Sequence, residues 1–291
     1  MLSYENCTLC PRECGVNRVL GERGFCSMPA AARVARAMLH EGEEPLLTGG
    51  GKAGAVFFGG CTLRCTYCQN SAISRGGGKA VSAAQLRECF EGLLAAGARC
   101  IDLVTPTHFL PDILPALTPK LPVPVVYNCG GYERVETIRA LEGAVDVWLP
   151  DLKYADGALA ARLSRAADYF AAATAAIMQM YRQCGPAVVE DGQLRRGVLI
   201  RHLVLPGYLD NTLRVIEWVG EQFPHGEVLF SLMRQYVPFG NQSAPLDRRV
   251  TDEEYAGAVS WLELCGVRNG YLQDATAATD ALVPDFNTGN I

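Results

Sequence analysis

From residue 54 onward, short apolar runs alternate with longer amphipathic stretches. AVFF (55–58), CIDLV (100–104), VPVVY (123–127), VDVWL (145–149), VLIRHLVL (198–205) and EVLFSLM (227–233) are too short for helices and rich in β-branched residues. Such runs predict buried strands. Between them apolar residues recur at helical spacing. In SAAQLRECFEGLLAAGA, Ser82 is a good N-cap, Leu86, Phe90, Leu93 and Leu94 share one stripe, and Gly97 marks the stop. YERVETIRALEG, the alanine-rich stretch 157–184, NTLRVIEWVGEQF and TDEEYAGAVSWLELCG read the same way. Strands alternating with helices predict an α/β fold with a parallel sheet and right-handed crossovers. About six such units suit a partial or complete (βα) barrel, with its chemistry at the C-terminal ends of the strands. A doubly wound sheet would carry a glycine-rich phosphate turn after its first strand, where this chain has GGC.

Residues 1–53 break the pattern. They hold four cysteines, many turn formers and little amphipathic sequence beyond AARVARAML. The expectation is a small cysteine-rich lobe packed on a barrel that spans 54–291. Composition changes this picture little, since 49% hydrophobic and 20% charged residues are ordinary for a globular chain. A net charge of −5 offers no footprint for a nucleic-acid backbone. No apolar run reaches the length of a membrane span, and no export signal opens the chain. With 12 cysteines and no export signal, metal binding in a reducing cytoplasm is expected rather than a disulfide framework. TGGGKAG lacks the Ser or Thr that a phosphate loop places after its lysine, so it is set aside.

The candidate chemistry begins in GGCTLRCTYCQN. Cys61, Cys65 and Cys68 follow the first barrel strand at once, which places them at the catalytic edge of the sheet. A zinc site would need a fourth ligand, which this stretch does not supply. Three thiolates on a [4Fe–4S] cluster would instead leave one iron open for a substrate or cofactor, and Tyr67 could shield it. Nearer the N-terminus, Cys7, Cys10, Cys14 and Cys26 offer four thiolates to a short lobe that cannot build a core. Zinc and a second [4Fe–4S] cluster both fit that count. Arg12 and Arg18 are expected to frame that site or pair with carboxylates. Cys89, Cys100 and Cys265 read as core thiols, and so does Cys129, although it ends a strand at the catalytic edge.

The C-x3-C-T-Y-C array resembles the signature of radical S-adenosylmethionine (radical SAM) enzymes. CTLCPRECGVNR, GERGFC, LVTPTHFLPDI, YNCGGYE, VWLPDLKY, IRHLVLPG and MRQYVPFGN extend the resemblance to proteins similar to pyruvate formate-lyase activating enzyme. The resemblance implies that S-adenosylmethionine chelates the open iron and is reductively cleaved to a 5′-deoxyadenosyl radical. It also implies cofactor contacts. Thr105, Thr107 and His108 stand where that superfamily has a Gly-Gly-Glu-like turn for the cofactor's amino group. Asp151 and Lys153 match a D-L-K turn near its carboxylate, and Asn128 replaces an aspartate of a cation site. Arg201 matches an arginine that approaches the carboxylate, while His202 should face the other side of the strand and be structural. The implied function is hydrogen abstraction from a polypeptide, including a glycyl radical enzyme partner, with flavodoxin or ferredoxin as donor. A small molecule or ribosomal peptide is the alternative substrate, and a non-catalytic metal-organised scaffold is the alternative of another class.

Overall fold

The computed structural model describes residues 2–239, 242–273 and 286. The last two residues of the MRQYVPFGN motif and most of the end of the 54–291 segment lie outside the described residues. Ten strands are present among the described residues: β1 (Ala32–His40), β2 (Lys52–Phe58), β3 (Lys79–Val81), β4 (Ala98–Val104), β5 (Val125–Cys129), β6 (Val147–Pro150), β7 (Val188–Glu190), β8 (Gln193–Leu203), β9 (Leu229–Met233) and β10 (Gly270–Leu272). The sheet runs β10-β9-β8-β6-β5-β4-β2-β1-β3, with β7 paired to β8. Every ladder from β2 to β10 along this path is parallel. Their spatial order is their chain order, so no switch point exists and the doubly wound arrangement is excluded. The path has two free ends among the described residues, which makes the barrel partial.

Each expected strand is found, and the helices between them cover the outside. Ser82 caps Ala83–Ala95 through a full capping box with Gln85, and its Leu86 and Phe90 are fully buried against the sheet. Each such side chain contributes about 2 kcal/mol. Thr251 and Glu254 form a second capping box for Asp252–Leu264. The alanine-rich stretch makes two helices, Gly157–Ser164 and Tyr169–Cys184, because Arg165 takes a left-handed conformation (φ 54°) that ends the first. Among the described residues no helix is long and apolar enough to cross a membrane.

Residues 2–31 contain no helix or strand. Their turns carry the four N-terminal cysteines. The rest of the 1–53 segment joins the sheet: β1 pairs antiparallel with both β2 and β3. The chain then passes Glu43 and Glu44 to a short helix, Pro45–Thr48, whose Leu47 packs with Ala53, Cys100, Val126, Val147, Leu149, Leu199 and Leu229. That set is one face of the parallel strands, read at period two. The same faces continue with Asp102, Asn128, Asp151, Arg201 and Ser231, so a polar layer stands directly above an apolar one.

Candidate active site

Gly60 has φ +82°, and a Cβ there would lie 2.4 Å from Cγ of Met28. Only glycine suits both that backbone and that approach. The turn sends the chain off the end of β2, and Cys61, Cys65 and Cys68 line one cleft with Tyr67, Thr105, Asn128, Asp151, Lys153 and Arg201. The Leu63 N–H donates to Cys61 Sγ at 3.4 Å, and the Ser164 hydroxyl donates to Cys65 Sγ at 3.0 Å. Burial raises the thiols of Cys61 and Cys68, the latter to about 12, and the neighbouring cysteines raise them further. Cys61 and Cys68 so placed give up their protons more readily when cations take up the charge. Among the described residues no three His, Cys, Asp or Glu side chains are arranged to hold a single ion. Three cysteines lining one cleft match in number the thiolates of a three-cysteine cluster.

The floor of the cleft is an ion network. Arg201 Nε donates to Asp151 Oδ1 at 2.9 Å, Nη2 to Asn128 Oδ1 at 2.7 Å and Nη1 to Glu43 Oε1 at 3.3 Å. Lys153 Nζ reaches Asp151 Oδ2 at 2.6 Å. Burial alone would raise the Asp151 carboxyl, but Arg201 and Lys153 outweigh it and hold it below the usual range. Asp102 behaves oppositely: burial and then Glu43 push it well above that range. Burial and the Glu43 carboxylate thus favour the neutral form of Asp102, which spares the layer a further buried charge. Asn128 Nδ2 joins the pair to Arg201, 3.3 Å from Asp102 Oδ2. Glu43 and Asp102 were not singled out in the sequence. A lone acid inside CIDLV was the available signal for Asp102, as a lone Arg inside LIRHLVL was for Arg201.

Thr107 and His108 are placed outside the cleft. Thr105 follows β4 with φ 59°, and a single helical turn, Thr107–Phe109, rotates the next residues into the protein. Thr107 Oγ1 donates to Glu133 Oε1 at 2.6 Å, and His108 Nε2 meets the Gly59 carbonyl at 2.7 Å. Burial holds the His108 imidazole down at about 4. His202 is buried between the Leu152 carbonyl (2.6 Å) and Thr212 Oγ1 (2.9 Å), on the opposite side of β8 from Arg201. Cys129 is buried in the core cluster that holds Tyr127 and Tyr132 and also lines the cleft.

In the N-terminal lobe, Cys7 and Cys26 are buried, Cys10 partly so, and Cys14 exposed. The Cys7 N–H donates to the Val16 carbonyl at 3.0 Å and the Gly15 N–H to the Cys7 carbonyl at 3.1 Å, closing a tight hairpin. A Cβ on Gly24 would lie 2.8 Å from Cys14 Sγ, so the chain returning to Cys26 passes directly against Cys14. Burial raises Cys26, with Cys7 and Cys14 adding to it, so the four stand within electrostatic reach of one another. Of the two expected roles, framing the cysteines and pairing with carboxylates, Arg18 takes the first, with Nη1 3.7 Å from Cys7 Sγ, and neither arginine has a carboxylate partner among the described residues. Arg18 is 2% exposed and donates to the carbonyls of Met28 (3.1 Å) and His108 (2.6 Å). Arg12 donates to the carbonyls of Thr62 (3.0 Å), Ser164 (2.9 Å) and Arg165. Carbonyls serve because both arginines sit at an interface built from loops, where backbone acceptors lack partners.

No family model matches the chain. The uncharacterized protein MJ0674 of Methanocaldococcus jannaschii is 29% identical over 279 residues, covering 89% of this chain and 75% of the relative. Among solved structures, HydG, a maturase of the [FeFe]-hydrogenase, aligns with a TM-score of 0.51 at 16% identity, over 77% of this chain and 52% of that one. Streptococcus suis SuiB bound to precursor peptide SuiA aligns with a TM-score of 0.50 at 13% identity, over 74% and 46%. The chain thus spans about half the length of these two structures, and what it shares with them is the fold.

Proposed function

We propose that this chain is a radical SAM enzyme that abstracts hydrogen from a polypeptide. The observation that carries the reading is the meeting of Cys61, Cys65 and Cys68 with Asn128, Asp151, Lys153 and Arg201 in one cleft at the C-terminal edge of the sheet. When bound there, a [4Fe–4S] cluster and S-adenosylmethionine supply a 5′-deoxyadenosyl radical. The chain does the rest. Its three cysteines hold the cluster and leave one iron without a protein ligand. Arg201 and Lys153 are the cations available to the cofactor's carboxylate, and the Asp151–Asn128–Glu43 network fixes the guanidinium before the cofactor arrives. The hydroxyl and carbonyl of Thr105 are acceptors for its ammonium.

A peptide is the substrate class to test first. SuiB, which shares the fold, was solved with a precursor peptide. A glycyl radical enzyme is the narrower version of this reading, with flavodoxin or ferredoxin as reductant. Residues 1–53 complete it as the metal-binding N-terminal segment, with zinc or a second [4Fe–4S] cluster on Cys7, Cys10, Cys14 and Cys26. The test is anaerobic reconstitution with iron and sulfide, followed by incubation with reductant and S-adenosylmethionine. Release of 5′-deoxyadenosine is expected from the wild type and is lost, at least 100-fold, in Cys65→Ala. A wild type that binds iron but releases none is a scaffold, and cleavage retained by Cys65→Ala would overturn the cluster assignment.

A further inference from the structure

Ser164 is the last residue of the helix Gly157–Ser164, and the left-handed Arg165 turns the chain away behind it. Its side chain is fully buried, yet it belongs to neither the cleft nor the cysteine motif. The hydroxyl lies 3.0 Å from Cys65 Sγ and 2.6 Å from the Tyr154 hydroxyl, which in turn lies 2.8 Å from the Tyr67 hydroxyl. A thiolate that ligates iron has no proton to give, so Ser164 must be the donor to Cys65. Its oxygen then accepts from Tyr154, and Tyr154 accepts from Tyr67. Three protons are aligned toward one sulfur, and each bond polarises the next. Tyr67 lies inside the motif, so the chain of hydroxyls leaves the cysteine loop at one residue and returns to it at another. Arg12 fixes the Ser164 backbone from the other side through its carbonyl, at 2.9 Å.

We infer that Ser164 is a positioning residue that sets how readily the cluster on Cys61, Cys65 and Cys68 accepts an electron. This rests on the cluster reading proposed above. Hydrogen bonds to cluster sulfurs draw off negative charge and favour the reduced state, which carries one electron more. The bond is present in both states, and it changes the reduced-to-oxidised ratio by about tenfold where it is stronger to the reduced cluster by an amount within the range for charged acceptors.

The experiment compares full-length wild type, Ser164→Ala and Tyr154→Phe, each reconstituted anaerobically. Iron and sulfide are measured first, then the cluster is titrated against potential and followed by electron paramagnetic resonance. At a potential where the wild type is half reduced, Ser164→Ala is expected to show about tenfold less reduced cluster, with iron unchanged. Tyr154→Phe removes the donor to Ser164 and the Tyr154 hydroxyl's own interaction with Cys65 while leaving the Ser164 hydroxyl in place, and a shift in the same direction is expected. An unshifted titration in a fully loaded Ser164→Ala would overturn the inference and leave the cluster reading standing. Failure of the wild type to bind iron would instead sink that reading. If Ser164→Ala loses its iron, Tyr154→Phe decides, and an unshifted titration there overturns the inference as well.

Discussion

Glu133 is 2% exposed and takes hydrogen bonds from Thr107 Oγ1 at 2.6 Å and Tyr127 Oη at 3.2 Å. Burial pushes its carboxyl up to about 8, although those bonds pull the other way. In the unfolded chain the same group titrates near 4.5. Between the two values the folded protein keeps a proton that the unfolded chain has lost, so stability falls as pH rises through that window. By linkage the slope is at most about 1.4 kcal/mol per pH unit. Asp151 contributes with the opposite sign. Its carboxyl is held low, so its stabilisation is present above the usual carboxylate range and is lost as pH falls through the lowered value. Glu133→Gln keeps the shape and removes one titration. Buried His108 and His202, each held down at about 4, add the opposite slope below the ordinary imidazole value, so the test is the difference between the two proteins. Across urea midpoints from about pH 5 to 8, the wild type should lose stability relative to Glu133→Gln as pH rises. A constant difference would assign the effect to another group.

At the scale of elements, the cysteine loop 61–68 is held by a residue from a different part of the chain. Arg12 lies between Cys10 and Cys14, stacks on the Phe25 ring at 3.9 Å and faces the Tyr132 ring at 5.0 Å. Its planar fork reaches Thr62 on the loop and Ser164–Arg165 at the end of a helix. A lysine carries its three donors on one nitrogen and lacks the spread of the fork that meets both sites. Arg12→Lys and Arg12→Ala are therefore expected to raise amide hydrogen exchange across 62–66 and 164–166 by about tenfold or more, with the sheet unchanged. Equal exchange in Arg12→Lys and wild type would show that one cation is enough. Little of this clamp was legible beforehand, for a physical reason. Central strands buried on both sides read as continuous apolar runs, so six of them stand out in the sequence. β1 and the outermost strands β3, β7 and β10 are short or half exposed, and no such run marks them. The cysteines were visible because their spacing is local. Glu43, Asp102 and Ser164 enter the site through tertiary packing, and a single turn of helix moves Thr107 and His108 out of it.

The whole molecule joins a sheet with an extensive core to a lobe with almost none. Within residues 2–31 the buried apolar side chains are few, and only Tyr4, Cys7 and Leu9 form a cluster of their own. With no helix or strand in it, that lobe is expected to depend for its fold on the metal proposed for Cys7, Cys10, Cys14 and Cys26. The barrel does not. Metal-free protein, prepared anaerobically with chelator, should be cut by protease within residues 2–31 at least tenfold faster than loaded protein, while 52–233 stays protected. Equal protection with and without metal would make Arg12 and Arg18, rather than thiolate ligation, the lobe's main fastening. The identity of that metal then fixes what the lobe can do for the cleft beside it. Iron, sulfide and zinc should be measured on a Cys61/Cys65/Cys68 triple-alanine variant, in which only the N-terminal quartet can bind metal. Iron retained there would place a redox centre on the far side of the Arg12 clamp, where it can pass electrons toward the cleft. Zinc alone would make the lobe a rigid brace, and the electron would then have to reach the cleft directly from a protein donor.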